Sequence, residues 1–303
     1  MDFSGCLNAP YTPHFKQSEK KTNMTKFNKN EIANVIEWLD TLDDLTKNVV
    51  DCYAAPSVVL IYYQDVDRFE GIGSGVCVDY NEGEYFITAA HCLYDSRGNN
   101  IITKCWIFSE RQNKKIPLYD EKIFKQVYLG DKETKDDDIA IFKIVSNKNF
   151  FEYFLVYKNY SLSMNDIYHD NPYYGVAIGF PANKNQIKHD MKNSRFRIQE
   201  KSSIHLLCDN TLNDLEVIRD KNLVLPLGTH TFTKCGISEQ TIKPQGMSGG
   251  GLFTISLKNI IDCYENKSQI YPFLSGIIIE YSSIKNNRYY IAISIDEVIS
   301  KIS

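Results

Sequence analysis

The stretch Gly71-Ile72-Gly73-Ser74-Gly75-Val76-Cys77-Val78, a turn at Asn81-Glu82-Gly83, and Tyr85-Phe86-Ile87-Thr88-Ala89-Ala90 decide how this chain is read. β-branched and aromatic residues on either side of a turn signal predict strand, turn, strand. Just upstream, Ser57-Val58-Val59-Leu60-Ile61-Tyr62-Tyr63 has the same character. Downstream, short strands are predicted at 104 to 108, 123 to 128 and 139 to 145. The polar and aromatic stretch Ser146 to Asn171 reads as a crossing between two lobes. A second series opens at Tyr174-Gly175-Val176-Ala177-Ile178-Gly179-Phe180-Pro181 and continues near 195 to 200, 203 to 208, 222 to 226, 229 to 234, 250 to 255, 273 to 280 and 288 to 294. Many short strands with few helices make an all-β sandwich or barrel.

Two segments depart from this pattern. Ile32, Val35, Ile36, Leu39, Leu42, Leu45 and Val49 recur at three and four residues, the spacing of one helix face, with Asn30 as N-cap. Residues 30 to 50 are therefore expected to form an amphipathic helix, packed on the main body or offered to a protein partner. A short helix is expected at about 295 to 302. The chain divides into an N-terminal extension (1–50), a first β unit (51–165) and a second (166–303).

Composition narrows the function. The 303 residues carry 43% apolar and 24% charged side chains, the balance of a globular protein. A net charge of -4 and no long basic stripe argue against nucleic-acid binding. No apolar run approaches the ~20 residues of a membrane span. The polar stretch from Met1 to Asn30 lacks the apolar core of a secretory signal. A cytoplasmic location is expected, with an exported bacterial effector as the alternative. The eight cysteines include no C-x-x-C, and the pattern calls for neither metal nor cofactor.

The chemistry centres on Gly246-Met247-Ser248-Gly249-Gly250-Gly251. Glycines on both sides of a serine permit a sharp turn and a close backbone approach. A nucleophilic serine needs both, with backbone N–H groups aimed at the oxyanion, and Gly246 and Ser248 are the natural donors. The same letters spell the G-x-S-x-G elbow of α/β-hydrolases, where the histidine follows the serine. All six histidines, at 14, 91, 169, 189, 205 and 230, precede Ser248, so that fold is rejected. His91 follows a strand within Thr88-Ala89-Ala90-His91-Cys92. Asp138 adjoins the apolar strand Ile139-Ala140-Ile141-Phe142, where a drawn-in carboxylate needs a partner such as an imidazole N–H. Asp136 and Asp137 read as a solvated loop.

These three motifs, in the order His, Asp, Ser, resemble the trypsin-like serine peptidase superfamily. Pro56-Ser57-Val58-Val59, Gly73-Ser74-Gly75-Val76, Ala177-Ile178-Gly179-Phe180-Pro181 and Ala292-Ile293-Ser294-Ile295 are similar to its bacterial trypsin-like branch, the HtrA-type and glutamyl-endopeptidase-like proteins. The resemblance covers roughly 54 to 300. It implies two antiparallel six-stranded β-barrels of the chymotrypsin-like kind, with His91 and Asp138 from the first and Ser248 from the second. It further implies a serine endopeptidase acting on protein or peptide substrates through an acyl-enzyme. A catalytically silent peptide- or protein-binding module on the same fold is the alternative.

Departures from the family are informative. Met247 stands where many secreted members carry the aspartate that pairs with a new N-terminus, so zymogen activation of that kind is not expected. Gly276-Ile277-Ile278-Ile279-Glu280-Tyr281 resembles the wall strand that pairs with substrate. The expected substrate-binding residues are Lys243, Ile279, Glu280 and Tyr281, with Glu280 pointing away because strand neighbours alternate faces. No acidic residue lies in Thr241 to Gln245, so cleavage after Lys or Arg is not the expected main activity. Cys77 and Cys92 resemble the pair that brackets the active histidine in many secreted members.

Overall fold

The computed structural model describes residues 54, 57–65, 68–109, 114–145, 156–157, 173–181, 201–206, 221–227, 230–233, 238–240, 245–256, 272–284 and 287–302. The helix expected at 30–50, the strand expected near 195–200 and Lys243 lie outside these residues.

Among the described residues, seven strands form the first sheet: β1 (Val58–Asp65), β2 (Arg68–Tyr80), β3 (Gly83–Thr88), β4 (Cys105–Ser109), β5 (Lys114–Pro117), β6 (Phe124–Leu129) and β7 (Ala140–Ile144), in the order β5-β4-β1-β2-β3-β7-β6. Eight form the second: β8 (Tyr173–Gly179), β9 (Lys201–Leu206), β10 (Asn222–Leu227), β11 (His230–Thr233), β12 (Ser238–Gln240), β13 (Gly251–Ser256), β14 (Phe273–Ile284) and β15 (Asn287–Ser294), in the order β10-β15-β14-β13-β8-β9-β11-β12. Both sheets are antiparallel and curl into half-barrels, so the protein is all-β with a two-barrel architecture. A short helix, α1 (Ile295–Ser300), closes the described chain, capped by Ser294, whose Oγ accepts from the Glu297 N–H. No helix among the described residues is long and apolar enough to cross a membrane.

The alternation of β1 shows how the pattern builds the core. Val58 and Leu60 face an apolar layer shared between the sheets, with Val76, Ile87, Val176, Ile178, Phe253, Ile277 and Ile291. Val59 and Ile61 point the other way, into the first barrel, with Phe86, Ile107, Phe142 and Ile144. Both faces of β1 are thus covered, which explains its unbroken apolar sequence. A smaller cluster of Leu223, Leu225, Met247, Leu252, Ile278 and Tyr290 fills the second barrel. Between β2 and β3, Asn81 and Glu82 both take left-handed backbone angles (φ 44 and 59), the geometry of a two-residue hairpin loop that matches strand twist.

The sequence pattern misses β5 and β12. Both lie at sheet edges, where short, charged or proline-bearing strands carry no apolar alternation to read. Within the expected crossing, Tyr157 bridges Val78 and exchanges backbone hydrogen bonds with Cys77 and Asp79 at 2.8 and 2.9 Å. Its ring meets Phe253 edge-on at 5.1 Å and its hydroxyl donates to the Pro272 carbonyl. This one side chain therefore fastens the first sheet to the second.

Candidate active site

His91 lies in the 3-10 turn Ala90–Leu93 directly after β3, and Asp138 lies two residues before β7. Strands β3 and β7 are neighbours in register Thr88↔Ala140, which brings both residues to the same end of the sheet. The 8%-exposed Asp138 side chain accepts twice from His91. Its Oδ1 takes the backbone N–H at 2.8 Å, and its Oδ2 lies 2.6 Å from Nδ1. The Ala90 N–H also donates to the Asp138 carbonyl at 3.3 Å. Both main chain and ring are thereby fixed, and with Nδ1 as donor the other ring nitrogen, Nε2, is left as the basic one. Burial by itself would lower the proton affinity of the imidazole. The Asp138 carboxylate, with the Cys92 thiol beside the ring, outweighs that and holds His91 well above the usual histidine range. Small, fully buried Ala89 and Ala90 let the turn pack close beneath it.

Ser248 comes from the turn ahead of β13. Gly246 and Gly249 there take φ values of 96 and 82, which favour glycine. The turn is bound from both sides. Gly249 N–H donates to the Ile278 carbonyl at 2.6 Å, and Gly250 N–H to Met247 at 2.9 Å. From the first sheet, Ser74 N–H donates to the Ser248 carbonyl at 2.7 Å, and Ser74 Oγ donates to the Gly246 carbonyl at 3.0 Å while accepting from Phe180 N–H at 2.9 Å. Thr88 Oγ1 in turn donates to the Ser74 carbonyl at 2.7 Å. A Cβ on Gly249 would fall 1.9 Å from that carbonyl oxygen, so only glycine permits the approach. Among the described residues, the backbone N–H groups of Gly246 and Ser248 are committed to no other group.

His91, Asp138 and Ser248 line one cleft of about 370 Å³, together with Lys132, Glu133, Lys135, Ile279, Glu280 and Tyr281. The His91 ring holds Asp138 by a short contact. On the Ser248 side the residues share the cleft without a hydrogen bond between the hydroxyl and the ring. Nε2 instead has the Cys92 thiol 3.8 Å away, and that thiol lies 3.6 Å from the Ser248 carbonyl.

Two expectations need correction. Glu280 does not point away, because it lines the cleft. The pairing of β14 with β15 slips between Ile278 and Glu280, leaving Ile279 as an extra, buried residue. A bulge of this kind re-aims the side chains that follow it and breaks the alternation on which the expectation rested. Asp136 and Asp137 are not simply solvated. Asp136 pairs with Lys221 at 3.3 Å, and Asp137 accepts from Tyr128 and the Asp131 N–H and pairs with Lys301 at 3.4 Å. The resemblance left open whether Cys77 and Cys92 pair; both are free thiols, as is Cys105. The backbone opposite Cys92 belongs to Gly73, where a Cβ would sit 2.5 Å from the sulfur. Cys77 is four residues further along β2, ~13 Å at the strand rise, beyond the ~7 Å that a disulfide spans.

Ser74 is a residue of the site to which the sequence pattern assigns no role. Its signal is local: Gly73 and Gly75 flank a polar residue inside a strand, which marks a close backbone approach. Among the described residues, no group of three or more His, Cys, Asp or Glu side chains converges as a metal site. Compared with models of protein families and with curated proteins, the chain matches none. The architecture is compatible with a chymotrypsin-like fold.

Proposed function

We propose that this chain is a serine endopeptidase with a His91, Asp138, Ser248 triad. The observation that carries the reading is the Asp138 carboxylate, bonded to both backbone and ring of His91 at the edge of the cleft that Ser248 lines. In this mechanism, neutral His91 takes the Ser248 proton at Nε2 as Oγ attacks the scissile carbonyl carbon. Asp138 stabilises the imidazolium that results. The uncommitted N–H groups of Gly246 and Ser248 receive the oxyanion. Collapse of the tetrahedral species breaks the C–N bond, and His91 gives its proton to the leaving amine. Water, deprotonated by the same imidazole, then releases the acyl group from Ser248.

A peptide substrate is favoured by the edge of β14. This strand pairs with β13 only as far as Ile277, and Ile278 bonds to the turn of Ser248. Beyond it, Ile279, Glu280 and Tyr281 have no strand partner on that side among the described residues. An extended peptide can add there by main-chain pairing, which brings its carbonyl past the serine. The three free, buried thiols fit a reducing compartment such as the cytoplasm.

The second reading, a silent binding module, is favoured by one observation: the Ser248 hydroxyl makes no hydrogen bond to His91. A fluorophosphonate probe separates the two. An active triad gives covalent modification mapped to Ser248, lost in Ser248→Ala and slowed by orders of magnitude in His91→Ala. An unmodified wild-type chain leaves the binding module.

A further inference from the structure

The cleft has a feature that the triad does not use. Lys135, from the loop before Asp138, meets Glu280 of β14, with Nζ 3.2 Å from Oε2. The pair joins the two walls of the cleft beside His91 and Ser248. Each side chain is about one-third exposed, 39% for Lys135 and 35% for Glu280, so water and ligands reach both. Glu280 has Lys135 as its sole partner among the described residues, whereas Lys135 holds a further interaction as well. Next to Glu280, Tyr281 keeps a 37%-exposed ring in the same cleft. The cleft's other lysine is already engaged, because Lys132 lies over the Tyr94 ring at 4.8 Å and pairs with Glu133 at 3.5 Å.

We infer that Glu280 is a specificity-determining residue, and that the cleft selects peptides carrying an arginine or lysine side chain against the β14 wall. This rests on the peptidase reading of the same site. The incoming cation replaces Lys135 on the Glu280 carboxylate, and the 39%-exposed Lys135 side chain returns its ammonium to water. The exchange costs little because Glu280 stays paired throughout. An arriving acidic side chain would have to take Lys135 and strand Glu280 without a cation in a partly desolvated wall. The aliphatic stem of a basic side chain can lie along Tyr281, with its cationic head held near the ring and the carboxylate. The bulge at Ile279 makes this possible by turning Glu280 into the cleft on the strand edge where the peptide backbone pairs.

The test uses fluorescent hexapeptides that differ at one position at a time, bearing arginine, its uncharged isostere citrulline, or glutamate. Turnover by the wild-type chain is expected to favour arginine over citrulline by about 10–100-fold in kcat/KM at one position, the range of a charge-assisted contact. Glu280→Gln should bring that ratio close to 1, and Glu280→Lys should reverse it toward glutamate. The same series is read by fluorescence anisotropy on Ser248→Ala, which measures selection without chemistry. No preference for arginine in either format, or a preference that survives Glu280→Gln, overturns the inference. Failure of fluorophosphonate to modify wild-type Ser248 overturns the peptidase reading instead, and binding by Ser248→Ala still reports on Glu280.

Discussion

Replacing Ser74 by alanine removes one oxygen atom that holds the Ser248 turn to the first sheet. That oxygen is fully buried and serves two buried partners: it donates to the Gly246 carbonyl at 3.0 Å and accepts from Phe180 N–H at 2.9 Å. Alanine leaves both groups orphaned. At about 1–3 kcal/mol for each unsatisfied buried group, two groups give a loss of about 2–6 kcal/mol. For a chain of this size that corresponds to a fall in Tm of roughly 3–9 °C. Ser57→Ala is the matched control. Its hydroxyl is equally buried and donates to the Ala54 carbonyl at 2.7 Å, but that carbonyl also accepts from Ser57 N–H at 3.1 Å. No partner is orphaned there, and the expected loss is only about 0.5–1.5 kcal/mol. Urea unfolding followed by far-UV circular dichroism gives both values. Fluorophosphonate modification of folded Ser74→Ala should also be slowed, because the Gly246 peptide loses its anchor. If Ser74→Ala proves no more destabilising than Ser57→Ala, the reasoning about the bridge is refuted.

Other outcomes follow from the same geometry. On the proposed peptidase reading, because Asp138 raises the proton affinity of His91, the rate should climb with pH at values above the usual histidine range, and Asp138→Asn should move that climb to lower pH while cutting the rate by up to ~10⁴-fold, the loss known for established triads. The linked stability has the corresponding sign: the His91 contribution is complete below the unfolded histidine value and is lost as pH rises through the raised folded value, which unfolding at stepped pH in wild type and His91→Gln will test. Gly249→Ala places a Cβ 1.9 Å from the Ser74 carbonyl oxygen and 2.3 Å from Thr88 Oγ1, at a φ of 82, so a loss above about 4 kcal/mol or no folded protein is expected by thermal melt. Lys301→Ala breaks contacts to Asp137 and Glu297, each at 3.4 Å, and should cost about 0.5–1 kcal/mol at low salt and less at ~1 M salt. Under native conditions Cys77 and Cys105 should resist alkylation mapped by mass spectrometry, because both are fully buried and burial pushes the Cys105 thiol up to about 12.

The buried strands are legible in the sequence, because each writes its own environment into the chain. Val58 to Tyr62 are apolar at every position since both faces of β1 are covered. The order of His91, Asp138 and Ser248 was equally legible, as was the need for glycine around the serine, because these depend on residue type and chain order. The edge strands β5 and β12 were not, because an edge is defined by the neighbour it lacks. Glu280 was misplaced for a related reason. A one-residue bulge at Ile279 arises from the register between β14 and β15, and no local pattern records that register. The same holds for Asp136 and Asp137, whose lysine partners are distant in sequence, and for Cys92, which faces Gly73 and not another thiol. Each of these points is set by a backbone or a charge that folding brings close, and chain proximity carries no trace of it.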